Sequence, residues 1–174
     1  LDNTNKDFEK KFLKCLIRQI NFLKKNLNSN IYQTNKISSI SAIILSGLVF
    51  KVYYSNFSYG LKELKKLIEE FFDDSGFPKN RNLENLIIFL QYFVLVREWI
   101  KNGQENIPDF LEQIISKNLI CINSFHNSNN KIPLFNGSTE RELGNFFKYL
   151  EKLNYRTEKK LLIVGKIHIL KSKK

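Results

Sequence analysis

Apolar residues recur at every third or fourth position along most of this chain, and that period restricts it to helices packed through one face. From Asp7 to Leu27 they fall at Phe8, Phe12, Leu16, Ile20, Leu23 and Leu27, which predicts one helix with a single buried stripe. A second helix is expected from about Asn35 to Tyr54 through Ile37, Ile40, Ile44 and Leu48, with Ala42, Ser46 and Gly47 small enough to admit a close neighbour. It is apolar on most sides and should be well buried. Ser58 reads as the cap of a third helix ending at Phe72. The fourth spans Asn82 to Asn102, capped by Asn82 and stopped by Gly103. Pro108 suits the first turn of a fifth, reaching about Phe125, because the missing N–H is unpaired there in any helix. A sixth is expected from Ser138 or Thr139 to near Leu153.

The last residues change character. Lys160 to Val164 and Lys166 to Leu170 are β-branched runs around Gly165 and read as two strands. A lone strand pair is marginal by itself. The expected architecture is therefore all-α, with antiparallel helical hairpins over 1–155 and, over 156–174, the start of a β-rich domain. The 174 residues suffice for one domain with a core but not for a second complete one. The longest apolar runs, Ile40 to Phe50 and Leu86 to Val96, fall short of the roughly 20 residues that cross a bilayer.

Lys and Arg number 28 against 17 Asp and Glu, a net charge of +11 that favours a polyanionic partner. Many of these cations occupy polar-face positions, where solvation alone accounts for them. Because the aromatics follow the core period instead of interleaving with basic residues, nucleic acid is not the expected polyanion. Phosphate-binding glycine loops, the GxSxG elbow and zinc motifs are absent from the sequence, so no cofactor or metal is expected. The acidic pairs Glu69–Glu70 and Asp73–Asp74 are adjacent residues at a helix end, a poor geometry for carboxylates opposed across a substrate. Cys15 and Cys121 lie in apolar helical stretches and read as buried free thiols.

Two loops combine Pro, Gly and hydrogen-bond donors: DDSGFPKNRN at 73–82, and KIPLFNGSTE at 131–140. Together with IRQINFLKKNL at 17–27 and SAIILSGLVF at 41–50, their order and spacing resemble the N-terminal helical part of the heparinase II/III-like polysaccharide lyases. In that family the corresponding features are an RQ-x-x-x-L-x-x-x-L helix, an NAKALVFAGLFF helix, a DGGH…SRNP loop and an LFNG loop. The resemblance covers about 12–170. It implies an incomplete (α/α) toroid followed by a β-sandwich domain, an acidic polysaccharide in the cleft between them, and a bacterial periplasmic or envelope location. On that reading the chain, which starts at Leu1 and ends in strand-like sequence, is a fragment inactive without its sandwich.

Such lyases eliminate across a uronic acid: one group neutralises the carboxylate, a base removes the C5 proton and an acid protonates the leaving oxygen. The resemblance puts Arg81 and Asn82 on the family's Arg-Asn pair, gripping a carboxylate or hydroxyl, with Lys79 adding positive charge and Asn136 turning an amide into the cleft. Asn35 is the residue left to neutralise the carboxylate, because Thr34-Asn35 stands where the family often shows Asn-His. Glu84-Asn85 replaces the usual Tyr-His pair, and Phe77 the loop's usual His. Structural alternatives exist for each: Asn35 and Asn82 as helix caps, Asn136-Gly137 as a turn, Lys79 as a solvated cation. Phe77 and Phe135 either stack on sugar faces or pin their loops to the core. Trp99 reads as core, and His168 as surface or interdomain packing. The runner-up function is a non-enzymatic helical scaffold for an anionic partner.

Overall fold

The computed structural model describes residues 3–29, 32–125, 133, 136–139, 143–155 and 157–170. The chain is predominantly α-helical. Among the described residues it forms six α-helices and one small two-stranded sheet. It divides into two compact units, Leu1–Leu64 and Lys65–Lys174, with the third helix contributing to each.

The first unit holds α1 (Asn3–Asn26), a 3-10 turn at Leu27–Ser29, α2 (Gln33–Val49), a second 3-10 turn at Lys51–Tyr53 and the opening turns of α3 (Ser55–Phe71). Packing of α1 on α2 is graded along α1. Leu27 is buried and Leu16, Ile20 and Leu23 are half-buried, but Phe8 and Phe12 are 67% and 53% exposed. The single buried stripe expected for α1 therefore covers only its C-terminal half. At about 100° per residue, each four-residue step from Leu16 to Phe12 to Phe8 turns the stripe about 40° further off the packed face. The two exposed rings stack on each other instead, 6.1 Å between centroids.

In α2 the isoleucines 37, 40, 43 and 44 are buried on several sides, as expected. Its serines survive burial because their hydroxyls donate backwards, Ser41 Oγ to Ile37 O at 2.8 Å and Ser46 Oγ to Ile43 O at 2.7 Å. The helix stops at Val49 and not at Tyr54, since Phe50 turns extended at φ −109° and ψ 97°. The run from Val49 to Tyr54 is rich in β-branched and aromatic residues, weak helix formers that yield readily to a turn. Gly47 then meets α3 so closely that a methyl group there would collide with the backbone nitrogen of Phe57. Because α3 begins at Ser55, Ser58 lies inside it and is not its cap.

The second unit contains the end of α3, α4 (Leu83–Asn102), α5 (Asp109–Phe125), α6 (Gly144–Lys152) and strands β1 (Ile163–Val164) and β2 (Ile167–His168). Helices α4 and α5 pack directly together. A ring cluster anchors the core, with Phe71 stacked on Phe89 at 4.6 Å and Phe72 edge-on to Phe89 at 5.3 Å. Trp99 is half-buried, on the margin of the core. The Pro108 carbonyl accepts the first helical bond of α5, from Leu111 N at 3.0 Å, which makes this proline the cap and not the first helical residue. Ser138 and Thr139 are not helical; α6 starts at Gly144 and 140–142 lie outside the described residues.

The two strands are shorter than the apolar runs that encode them. They pair antiparallel, Ile163 with His168 and Val164 with Ile167, around Gly165 and Lys166 at φ 53° and 65°. The segment leading in is tied to α5: Asn123 Nδ2 donates to Thr157 O and Lys159 O, and Leu161 N to Ser124 Oγ. No helix among the described residues is long and apolar enough to cross a membrane.

Candidate functional site

The decapeptide 73–82 is a knot built on one carboxylate. Asp73 Oδ1 accepts from Ser75 N, Ser75 Oγ and Phe77 N at 3.0, 2.6 and 3.0 Å, which folds the chain sharply after α3. Gly76 sits at φ 79°, where an added Cβ would meet Lys117 on α5. The turn is sewn to α5 by Asn118 Nδ2 to Gly76 O at 2.7 Å and Cys121 Sγ to Ser75 O at 3.3 Å. Phe77 is fully buried against Phe125, 5.4 Å between centroids. It is therefore a core anchor and presents no face to a sugar ring.

The side chains after this knot have distinct fates. Lys79 Nζ reaches back to the carbonyls of Glu69 and Glu70, 2.9 Å each, and caps the C-terminus of α3. Asn82 is the N-cap of α4: its Oδ1 accepts from Asn85 N at 3.0 Å, while Nδ2 donates to Asn136 O at 2.9 Å. Asn136 Nδ2 returns a longer bond to Arg81 O at 3.4 Å. Thr139 N and Oγ1 both donate to Glu84 Oε2 at 3.2 and 2.9 Å. Arg81, Asn82 and Asn136, separated by up to 55 residues, thus meet at the N-terminus of α4, where the partial positive charge of the helix end adds to that of the arginine.

Arg81 has φ 59°, a conformation that a non-glycine residue adopts at a cost of about 1–2 kcal/mol. Its N–H is held by Pro78 O at 2.8 Å. Among the described residues no hydrogen bond or ion pair engages its guanidinium. Asn35 belongs to the other unit, exposed in the first turn of α2, with its carbonyl accepting from Ser38 and Ser39. The structure thus joins three of the five candidates, puts Lys79 a turn away as a cap, and leaves Asn35 in a separate unit. Phe135 and His126 lie outside the described residues, and His168 is exposed on β2.

A charged cluster absent from the sequence reading lies between α4, α5 and the segment after α6. Arg97 Nε and one terminal nitrogen bind Glu112 at 2.9 and 2.8 Å, and the other binds Glu98 at 2.9 Å. The Tyr155 hydroxyl donates to Glu98 at 2.8 Å, with the guanidinium 5.4 Å from its ring centre. The bond to Glu112 raises the Arg97 pKa, with Glu98 adding to it against the effect of burial. Burial and the bond to Glu98 push the Tyr155 hydroxyl well above its ordinary range, the wrong direction for a proton-abstracting base. Burial alone would raise Glu98, but Tyr155 and Arg97 outweigh it and the net shift is downward. Every member is engaged by another, so the cluster is a brace. Only the adjacency of Arg97 and Glu98 on α4 is visible in the sequence, and it gives no sign of Tyr155, 57 residues away.

Among the described residues no group of three or more His, Cys, Asp or Glu is arranged to hold a metal ion. No protein-family model, curated protein or solved structure matches the chain.

Proposed function

We propose that this chain is the helical part of a heparinase II/III-like protein, an incomplete (α/α) toroid whose corner at the start of α4 holds the carboxylates of an acidic polysaccharide. The observation that carries this reading is the meeting of Arg81, Asn82 and Asn136 on one surface. A guanidinium engages a carboxylate through two parallel N–H donors, and the backbone strain at Arg81 fits a side chain held for use. The net charge of +11 draws a polyanion toward it. The β-elimination implied by the resemblance needs a base and an acid as well as a carboxylate-neutralising amide; the resemblance assigns the amide to Asn35, which lies in the other unit, and Tyr and His do not stand at the matching loop positions.

Arg81→Ala is expected to weaken binding of polygalacturonate about tenfold or more, as loss of one charge-assisted contact implies, measured by calorimetry with neutral dextran as control. Unchanged affinity, or equal binding of dextran, would remove the reading. Unsaturated, ultraviolet-absorbing chain ends would distinguish elimination from binding alone. The second reading, a binding scaffold without chemistry, is favoured by one observation: the polar atoms of Lys79 and Asn82 already bond within the protein.

A further inference from the structure

The outer face of α1 carries a stripe that neither the core nor the polysaccharide reading uses. At about 100° per residue, Phe8, Phe12, Cys15, Gln19 and Phe22 fall within an arc of about 80°. All five are exposed, the three rings at 67%, 53% and 65%. The stripe runs about 21 Å along the helix at 1.5 Å per residue. A single exposed phenylalanine is ordinary, but three on one face of one helix make an apolar patch in contact with water. Lys11, Arg18 and Lys25 follow one edge of it at seven-residue intervals, all exposed, and among the described residues no carboxylate pairs with them. Leu16 and Leu23, half-buried, form the other edge. Over the whole helix seven Lys and Arg stand against two acids, Asp7 and Glu9.

Charge and shape select the occupant. Aromatic rings beside a row of cations match a surface that is both apolar and anionic, and a helix lying in the boundary of a negatively charged bilayer meets both at once. A second copy fits worse: in an antiparallel pair equivalent edges face each other, so the cationic row would meet its own counterpart. A partner helix would have to seat a side chain between Phe8 and Phe12, a gap that their own stacking closes, 6.1 Å between centroids and 14° between planes. We propose that α1 docks the first unit onto an anionic lipid bilayer, with Phe8, Phe12 and Phe22 in the acyl boundary and Lys11, Arg18 and Lys25 against headgroup phosphates. The helix lies on the surface, since no helix among the described residues is long and apolar enough to span it.

The test uses the intact chain with vesicles of phosphatidylcholine alone and of an equimolar mixture with phosphatidylserine. Cosedimentation is expected to be at least tenfold stronger with the mixed vesicles, and to fall as salt is raised. Cys15 lies inside the stripe while Cys121 is buried, so mixed vesicles should slow the reaction of the parent protein with a membrane-impermeant maleimide at least fivefold. Phe8→Ser with Phe12→Ser keeps every charge and should lower vesicle affinity at least tenfold, with the circular dichroism spectrum unchanged because both sites are exposed. Lys11→Gln, Arg18→Gln and Lys25→Gln together should lower it about a hundredfold, at about fivefold per cation. Vesicle binding that the two serines leave undiminished would overturn the docking, since net charge would then account for it. So would vesicle binding that leaves Cys15 as reactive as before, or equal protection of Cys15 by polygalacturonate, which has the charge without the hydrocarbon. A dimer dispersed by the serine substitutions, with no vesicle binding, would overturn it too and make a second copy the occupant.

Discussion

Two thiols in one chain meet opposite environments. Burial, aided by the nearby Asp73 carboxylate, pushes the Cys121 thiol up from 9.0 to about 12, while Cys15 is exposed on α1. The expectation that both are buried fails at Cys15 because its position in α1 lies on the rotated, uncovered side of the helix. In the native protein a thiol reagent should titrate Cys15 alone, with Cys121 reacting only after denaturation; two fast-reacting thiols would contradict this. A raised folded-state pKa means that the unfolded chain loses the proton first. Stability associated with Cys121 is therefore present below pH 9 and declines as pH rises toward about 12. Glu98 works in the opposite direction, since its lowered pKa contributes stability that is lost on acidification below the ordinary carboxylate range. Tyr155→Phe removes a hydrogen bond to that carboxylate and should cost about 1–2 kcal/mol in urea denaturation, with a weaker acid dependence than the parent.

Helix ends show where element-level reading succeeds and where it slips by a residue. Asn82 caps α4 as its sequence position suggests. Gly103 follows α4 as expected, but at φ −76°; the left-handed residue is Gln104, at φ 57°. The pattern is a Schellman closure, Glu105 N to Ile100 O at 3.1 Å and Gln104 N to Lys101 O at 3.0 Å. Asn154 closes α6 in the same way at φ 62°. Gln104→Gly should raise stability by about 1 kcal/mol, visible as a higher thermal midpoint, because glycine accepts that conformation without a Cβ clash. The small residues of α2 were legible as a contact site, and the contact is with α3 at Gly47. Gly47→Ala should destabilise by about 1–3 kcal/mol, since the colliding atom belongs to backbone and not to a movable side chain.

In the second unit as a whole, the knot after α3, the end of α5 and the β-hairpin converge on Phe77. The hairpin rests on that ring: a Cβ added at Gly165 would come within 2.5 Å of Phe77 Cδ1. Two strands of two residues are far too short to persist alone, so their order derives from this docking. Phe77→Ala should cost about 3–5 kcal/mol and release amide protection at Val164 and Ile167, detectable by hydrogen exchange. The helices, their number among the described residues, the cap at Asn82 and the turn at Gly76 were determined by the sequence itself, because period, capping chemistry and glycine freedom act over one or two turns of chain. Tertiary structure alone decided that Arg81 meets Asn136, that Tyr155 braces Arg97 and Glu98, and that a short hairpin folds onto Phe77. Those contacts join residues more than 50 positions apart, and no local pattern encodes which distant surface a side chain will find.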